Sequence, residues 1–242
     1  MSDSIDDVRQ RMAVLRARVE SAARRVGRDP ASVQIIGAAK RQPIERVAAA
    51  IRAGLRDLGE NYVQEMTAKQ RELQEILAPD SIAALRWHGI GHLQSNKARE
   101  AARSCYRVHT VDSLRLAAAL EREAARAGRV LEVLLQVNLS REPQKSGADP
   151  DALPELVEGL RPFVHLRAVG LMTMPAPDPD PEAARPVFRK LCELAAALRA
   201  RPGGAALTEL SMGMSDDFEV AVEEGATWVR IGTALFGPRE GS

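Results

Sequence analysis

Eight short apolar runs, each followed by a helical stretch, recur along the 242 residues, and no other feature narrows the possible folds as much. The runs fall at 33–39, 55–60, 85–90, 106–110, 130–138, 166–172, 207–210 and 228–231. Helical patterns occupy 44–54, 62–77, 95–103, 112–128, 151–160, 182–200 and 216–224, and a half-turn at 234–236 follows the last run. Strands that alternate with helices form a parallel sheet, because parallel neighbours need a crossover connection. Eight such units in a chain of this length predict a closed (β/α)₈ TIM barrel of the α/β class. An open doubly wound sheet is the competing arrangement. No G-x-G-x-x-G turn follows the first run, which counts against its dinucleotide-binding form.

One further helix precedes the first strand. Ile5, Val8, Met12, Leu15, Val19, Ala22 and Val26 recur at spacings of three and four, Ser4 with Asp7 resembles a capping box, and Gly27 is a stop. The stripe is expected to pack on its own domain, with a dimerising seam as the alternative. No linker interrupts the rhythm, so residues 1–242 are read as a single domain. The Pro/Asp-rich stretch 175–181 reads as a long βα loop.

Aromatic residues make up only 3% of the chain, so the core must be aliphatic and base-stacking platforms are not expected. A net charge of +1 gives no nucleic-acid footprint. The acidic start Met1-Ser2-Asp3-Ser4-Ile5-Asp6-Asp7 carries no secretory pattern, and no run is apolar enough to span a membrane. Cys105 and Cys192 form no metal-ligand or CxxC spacing. A cytoplasmic monomer with reduced, structural cysteines and no metal is the expectation.

In a barrel of this kind function sits at the C-terminal ends of the strands. Those ends carry Lys40, Asn61, His88 to His92, His109-Thr110, Asn138, Met172 to Met174, Ser211 to Ser215 and Arg230 to Thr233. Lys40 closes the first apolar run. Burying an ammonium is costly and lowers its pKa, and a neutral lysine amine attacks carbonyls to give a Schiff base. On local sequence alone, a lysine that snorkels out at a strand end is the plainer reading. Ser211-Met212-Gly213-Met214-Ser215 leads into a helix, and Gly232-Thr233 opens a short one; both suit a phosphate. Read blandly, Gly213 and Gly232 are ordinary turn glycines. The loops after strands seven and eight are the recurrent phosphate site of such barrels. Closure makes strand eight the neighbour of strand one, so an aldehyde-reactive lysine would face a phosphate cradle. Pyridoxal 5′-phosphate (PLP) bears both groups, and Arg230 could face its pyridine nitrogen. His88, His92 and His109 show no carboxylate partner in their motifs and are read as pocket-lining or structural, not as a metal set.

Ala38-Ala39-Lys40, Gly59 to Glu65, Trp87 to Lys97, Val137-Asn138 through Lys145-Ser146-Gly147, Gly170 to Met174, Leu210 to Asp217 and Val229 to Gly237 together resemble the pyridoxal phosphate homeostasis protein family. This family is also called the proline synthetase co-transcribed homologues, and the resemblance covers nearly the whole chain. It implies a modified barrel of the fold type III kind, similar to the N-terminal barrel of alanine racemase. It implies Lys40 as the Schiff-base lysine, with Ser211, Ser215, Gly232 and Thr233 on the phosphate, Arg230 at the pyridine nitrogen and Asn61 lining the pocket. His88 and Met172 complete the expected cofactor-binding set. Gly89 departs from the family pattern, which usually has an aromatic residue there, and puts the pocket wall beside His88 in question.

The implied role is to carry or buffer PLP and so maintain vitamin B6 and amino-acid homeostasis, with PLP-dependent apoenzymes as recipients and no catalytic residue. Arg230 disfavours a proton on the ring nitrogen, which weakens the ring as an electron sink. The chain also reaches Ser242 soon after the eighth unit, with Tyr62 and Tyr106 its only tyrosines and no room for the second domain that supplies a racemase tyrosine. The alternatives are a small single-domain PLP-dependent amino-acid racemase using His88 or Tyr62, and a Schiff-base aldolase acting on a phosphorylated sugar. Lys145, in the loop after strand five, is a candidate transient acceptor of PLP; a solvated loop lysine is the plain reading.

Overall fold

The computed structural model describes residues 5–140 and 146–237. Eight parallel strands close into a barrel in chain order: β1 (Gln34–Ala38), β2 (Asp57–Glu60), β3 (Arg86–Gly89), β4 (Arg107–Val111), β5 (Leu131–Gln136), β6 (Leu166–Met172), β7 (Glu209–Ser211) and β8 (Trp228–Ile231). The ring shuts where β1 pairs with β8, from Gln34 opposite Trp228 to Gly37 opposite Ile231. The outer layer holds α2 (Ile44–Arg52), α3 (Val63–Ile76), α4 (Pro79–Ala83), α5 (Ala98–Ser104), α6 (Leu114–Arg126), α7 (Leu153–Leu160), α8 (Arg185–Arg199) and α9 (Phe218–Glu223), and α10 (Thr233–Phe236) follows β8. The expected barrel is therefore the observed one.

Boundaries moved where local chemistry overrode the apolar pattern. The helix expected over 62–77 stops at Ile76, and Pro79, whose ring presets a helical φ, opens α4 as a separate turn. The seventh strand is Glu209–Ser211 rather than 207–210, because the amides of Leu207 and Thr208 close turns onto Gly204 and Ala206. The helix expected over 182–200 begins as a 3₁₀ turn, Pro181–Ala184, capped by Asp180.

α1 (Ile5–Arg25) is the additional helix. Val8, Met12, Leu15, Val19 and Ala22 are all buried, against α2, α9 and α10. Arg18 and Arg25 pair with Glu219 and Glu223 of α9 beside that seam. The stripe from Val8 to Ala22 is thus covered by its own chain, while Val26, beyond the helix, is 45% exposed.

Strand alternation divides the core in two. Leu58, Val108, Val133, Leu171 and Val229 face the helices and join one continuous aliphatic core. The opposite parity faces the barrel interior, where Leu134, Val169 and Met172 form a small separate cluster. Much of the remaining interior is polar. At the N-terminal end Arg86 pairs with Asp57, Arg107 with Glu132 and Glu209, and Arg167 with Glu132. No helix is long and apolar enough to cross a membrane among the described residues.

Candidate functional site

The mouth of the barrel is built around the end of β1. Ala39 donates its amide to the Gly59 carbonyl at 2.9 Å and accepts Lys69 Nζ on its own carbonyl at 2.5 Å. Lys69 also donates to Glu60 Oε1 at 2.5 Å. Burial pushes the Glu60 carboxyl up, and Lys69 offsets part of that rise. The chain on both sides of the turn is therefore held before Lys40 begins. Lys40 is half-buried and lies two residues beyond the inward-facing Ala38. The next residue, Arg41, has φ 56°, the only positive φ at a non-glycine position among the described residues. Such a conformation persists only where its surroundings enforce it.

Beside Lys40 stand the loops after β7 and β8. A Cβ placed on Gly232 would lie 3.8 Å from the Ala38 side chain, so the two strand ends face each other with room between them. The amides of Met212 and Arg230 bind the carbonyls of Trp228 and Gly213, at 3.1 and 2.9 Å. Ala234 donates its amide to Ser215 Oγ at 3.3 Å, and Met214 donates to Asp217 Oδ1 at 2.6 Å. These bonds fasten the 212–217 loop to the start of α10. Ser215 and Gly232 are half-buried and Thr233 is exposed, so the cradle opens outward. On the other side Asn61 follows β2. Gly91 admits it, since a Cβ there would come within 2.4 Å of the Asn61 carbonyl oxygen.

Below the mouth a line of buried polar groups crosses the barrel. Arg230 donates Nη1 to Ser211 Oγ at 2.7 Å and Nη2 to the Thr173 carbonyl at 3.0 Å. Ser211 Oγ lies 2.9 Å from His109 Nδ1, His109 Nε2 lies 2.9 Å from His88 Nδ1, and His88 Nε2 lies 2.9 Å from Asp57 Oδ1. Arg86 completes the line with two bonds to Asp57, at 2.7 and 2.5 Å. Burial lowers Arg230 to about 10, which leaves it cationic at neutral pH. Among the described residues no carboxylate lies within ion-pair reach of it.

The residues singled out from sequence separate into two groups. Lys40, Asn61, Ser215, Gly232 and Thr233 gather at the mouth. His88, Ser211 and Met172 are fully buried inside the barrel. His88 and Ser211 belong to the polar line, with the Ser211 hydroxyl held between Arg230 and His109, while Met172 packs on Leu134 and Val169. Arg230 joins the two groups. His88 finds its carboxylate partner, Asp57, 31 residues earlier and so outside its motif, and His109 meets it only through His88. One expectation is corrected. Gly89 faces outward, toward Cys105 and Val108, and is not part of a wall beside His88. His92 sits apart at the rim, 3.8 Å from Asp112. Lys145 lies outside the described residues. Sequence reasoning missed Asp57 and Lys69. For Asp57 the available signal was the period of two along β2, which places it on the same face as Gly59 and Asn61.

This set of groups fits PLP. An amine stands at Lys40, hydroxyls and small-residue backbone stand at Ser215, Gly232 and Thr233, and a buried guanidinium has a hydroxyl and a carbonyl as its partners. A buried cation needs every acceptor it can reach, and a pyridine nitrogen is one more.

Comparison with known proteins gives the same direction. The profile of the alanine racemase N-terminal domain matches residues 11–240. The pyridoxal phosphate homeostasis protein of Pseudomonas aeruginosa is 44% identical over 233 residues, 96% of each chain. That of Escherichia coli K12 is 40% identical over 236 residues, 98% of each chain. PipY of Synechococcus elongatus PCC7942, solved with PLP bound, superposes with a TM-score of 0.82 at 39% identity, covering 95% of this chain and 100% of PipY.

Proposed function

The chain belongs to the family of the alanine racemase N-terminal domain, and from that premise we propose that it binds PLP at the barrel mouth and holds it for delivery, without robust turnover of its own. Buffering the cofactor in this way would serve vitamin B6 and amino-acid homeostasis, the role carried in the names of its relatives. What supports the reading is that β1, which ends two residues before Lys40, runs beside Gly232, where a Cβ would lie 3.8 Å from the Ala38 side chain, with the buried Arg230 on the adjoining β8.

Bound PLP supplies an aldehyde that a lysine amine captures as a Schiff base. Lys40 is the anchor in this reading. Ser215, Gly232 and Thr233 hold the phosphate, Asn61 lines the ring, and Arg230 donates toward the ring nitrogen. Ser211 and His88 support Arg230 from beneath, and Met172 closes the interior under the site. Arg230 is a poor partner for a protonated ring, since two positive charges would face each other. PLP enzymes place either an acid or an arginine there; the acid keeps the ring nitrogen protonated and the ring a strong electron sink, and the arginine does not. The arrangement therefore favours holding the cofactor over working it, and PLP-dependent apoenzymes are the natural recipients.

Borohydride reduction of the PLP-loaded protein followed by peptide mass spectrometry tests the anchor. The expected result is a single modified residue, Lys40, and loss of the adduct in Lys40→Ala. An adduct of undiminished yield in that variant would overturn the assignment.

A further inference from the structure

The hydrogen bonds inside the barrel have a direction, and Asp57 sets it. A neutral imidazole has one N–H and one bare nitrogen. Burial, reinforced by His88, Arg230 and Arg107, holds His109 well below the usual histidine range. Burial also lowers His88, in spite of its bond to Asp57. Both rings are therefore neutral at pH 7. For Asp57, burial alone would favour the protonated acid, but hydrogen bonds from His88 and Arg86 outweigh it and hold the carboxyl below its ordinary value.

A carboxylate only accepts, so His88 must carry its proton on Nε2. Its Nδ1 is then bare and accepts from His109 Nε2–H. His109 Nδ1 is bare in turn and accepts the Ser211 hydroxyl proton. Ser211 Oγ receives Arg230 Nη1–H on a lone pair. Donors and acceptors match at all four contacts, each between 2.7 and 2.9 Å. Reversing any one of them forces two donors or two bare nitrogens together.

We infer that Asp57 is a positioning residue for Arg230 and Ser211: acting through His88 and His109, it turns the Ser211 proton inward, so that Ser211 fixes Arg230 and leaves the guanidinium as the group that donates upward to a ligand. Asp57 lies at the N-terminal end of β2, where with Arg86 it borders a cavity of about 470 Å³ under α1, at the far end of the barrel from Lys40. The identity of the ligand rests on the PLP reading of the mouth; the directed chain does not.

Nitrogen-15 NMR of the full chain without ligand at pH 7 reads the tautomers directly, with His92→Gln and His165→Gln variants assigning the signals. His88 and His109 are both expected as Nε2–H tautomers. Asp57→Asn keeps the shape but supplies an amide that can donate, and at least one ring should then shift to the Nδ1–H form. Arg86→Gln keeps the carboxylate and should leave both tautomers unchanged. PLP binding to Asp57→Asn should weaken about tenfold, the loss of one oriented hydrogen bond. An Nδ1–H or doubly protonated ring in the native chain would overturn the inference. So would unchanged tautomers in Asp57→Asn, or switched tautomers with undiminished PLP affinity. Should Asp57→Asn not fold, the native tautomers decide. A native chain that takes up no PLP would refute the cofactor reading and leave the tautomers to be judged separately.

Discussion

His88 and His109 tie the stability of the barrel to pH. Both are enclosed and neutral, with pKa values lowered by burial. In the unfolded chain each titrates near 6.5. Below that value the unfolded state binds protons that the folded state refuses, so stability falls as pH falls. The contribution of the neutral pair is complete above pH ~6.5 and is lost on descending from there through the folded values. Between pH 7 and 5.5 the upper bound is about 1.2 kcal/mol per ring, so a loss of about 1–2.5 kcal/mol is expected for the two. Glu60 and Asp217, both raised by burial, act with the opposite sign nearer the carboxylate range, which is why the window stops at 5.5. Urea midpoints at half-unit steps measure this; a flat midpoint across the window would mean that the folded rings take up protons as the unfolded ones do. The residues also show what a linear reading misses. Lys40 and Arg230 stand out because a cation at a strand end needs a reason. Asp57 does not stand out, because its partner is 31 positions away, and Ser211 meets His109 across 102. Only barrel closure makes them neighbours.

The strands and most helices were legible because the apolar period and the glycine and proline stops agree, and parity along each strand then fixes which side chains enter the barrel. What escaped were the short pieces, α4 and the displaced start of β7, where Pro79 and the turn at 204–208 decide locally. α1 was ambiguous for a physical reason: a stripe at spacings of three and four serves a self-packed helix and a dimer seam equally well. Its burial against α2, α9 and α10 resolves the stripe in favour of its own barrel. Leu15, 2% exposed at the centre of the stripe, is the place to test that. Leu15→Ala should destabilise the chain by about 2–4 kcal/mol, the range for a buried leucine that leaves a cavity. The loss should be the same at protein concentrations a hundredfold apart. Unfolding midpoints that rise with concentration in the native chain and lose that dependence in the variant would instead place the stripe at an interface between copies.

For the molecule as a whole, the question is whether a barrel that holds PLP also works it. Racemisation needs an electron sink and a pair of groups that exchange a proton with the amino-acid α-carbon. In the proposed site Arg230, lowered to about 10 by burial but still charged at neutral pH, would work against protonation of the ring nitrogen and so against the sink. His88 and His109 are committed to the buried line and to each other. Tyr106 lies at the N-terminal end, its ring under Arg86 and Arg107 at 5.7 and 5.4 Å. Tyr62 stands at the mouth but is 60% exposed, and water there competes for every proton it would move. A positioned acid or base contributes about 10²–10⁴ in rate, so its absence should leave the loaded protein within about tenfold of free PLP. Exchange of the alanine α-proton in D₂O, followed by NMR against free PLP at equal concentration, measures that ratio. A rate of about 1 s⁻¹ or more, within the range of ordinary enzymes, would make the chain a catalyst. Tyr62→Phe then locates the cause: if the rate survives that substitution, the proton moves through Lys40 itself, and if it is lost, the exposed tyrosine is a working acid–base group despite its contact with water.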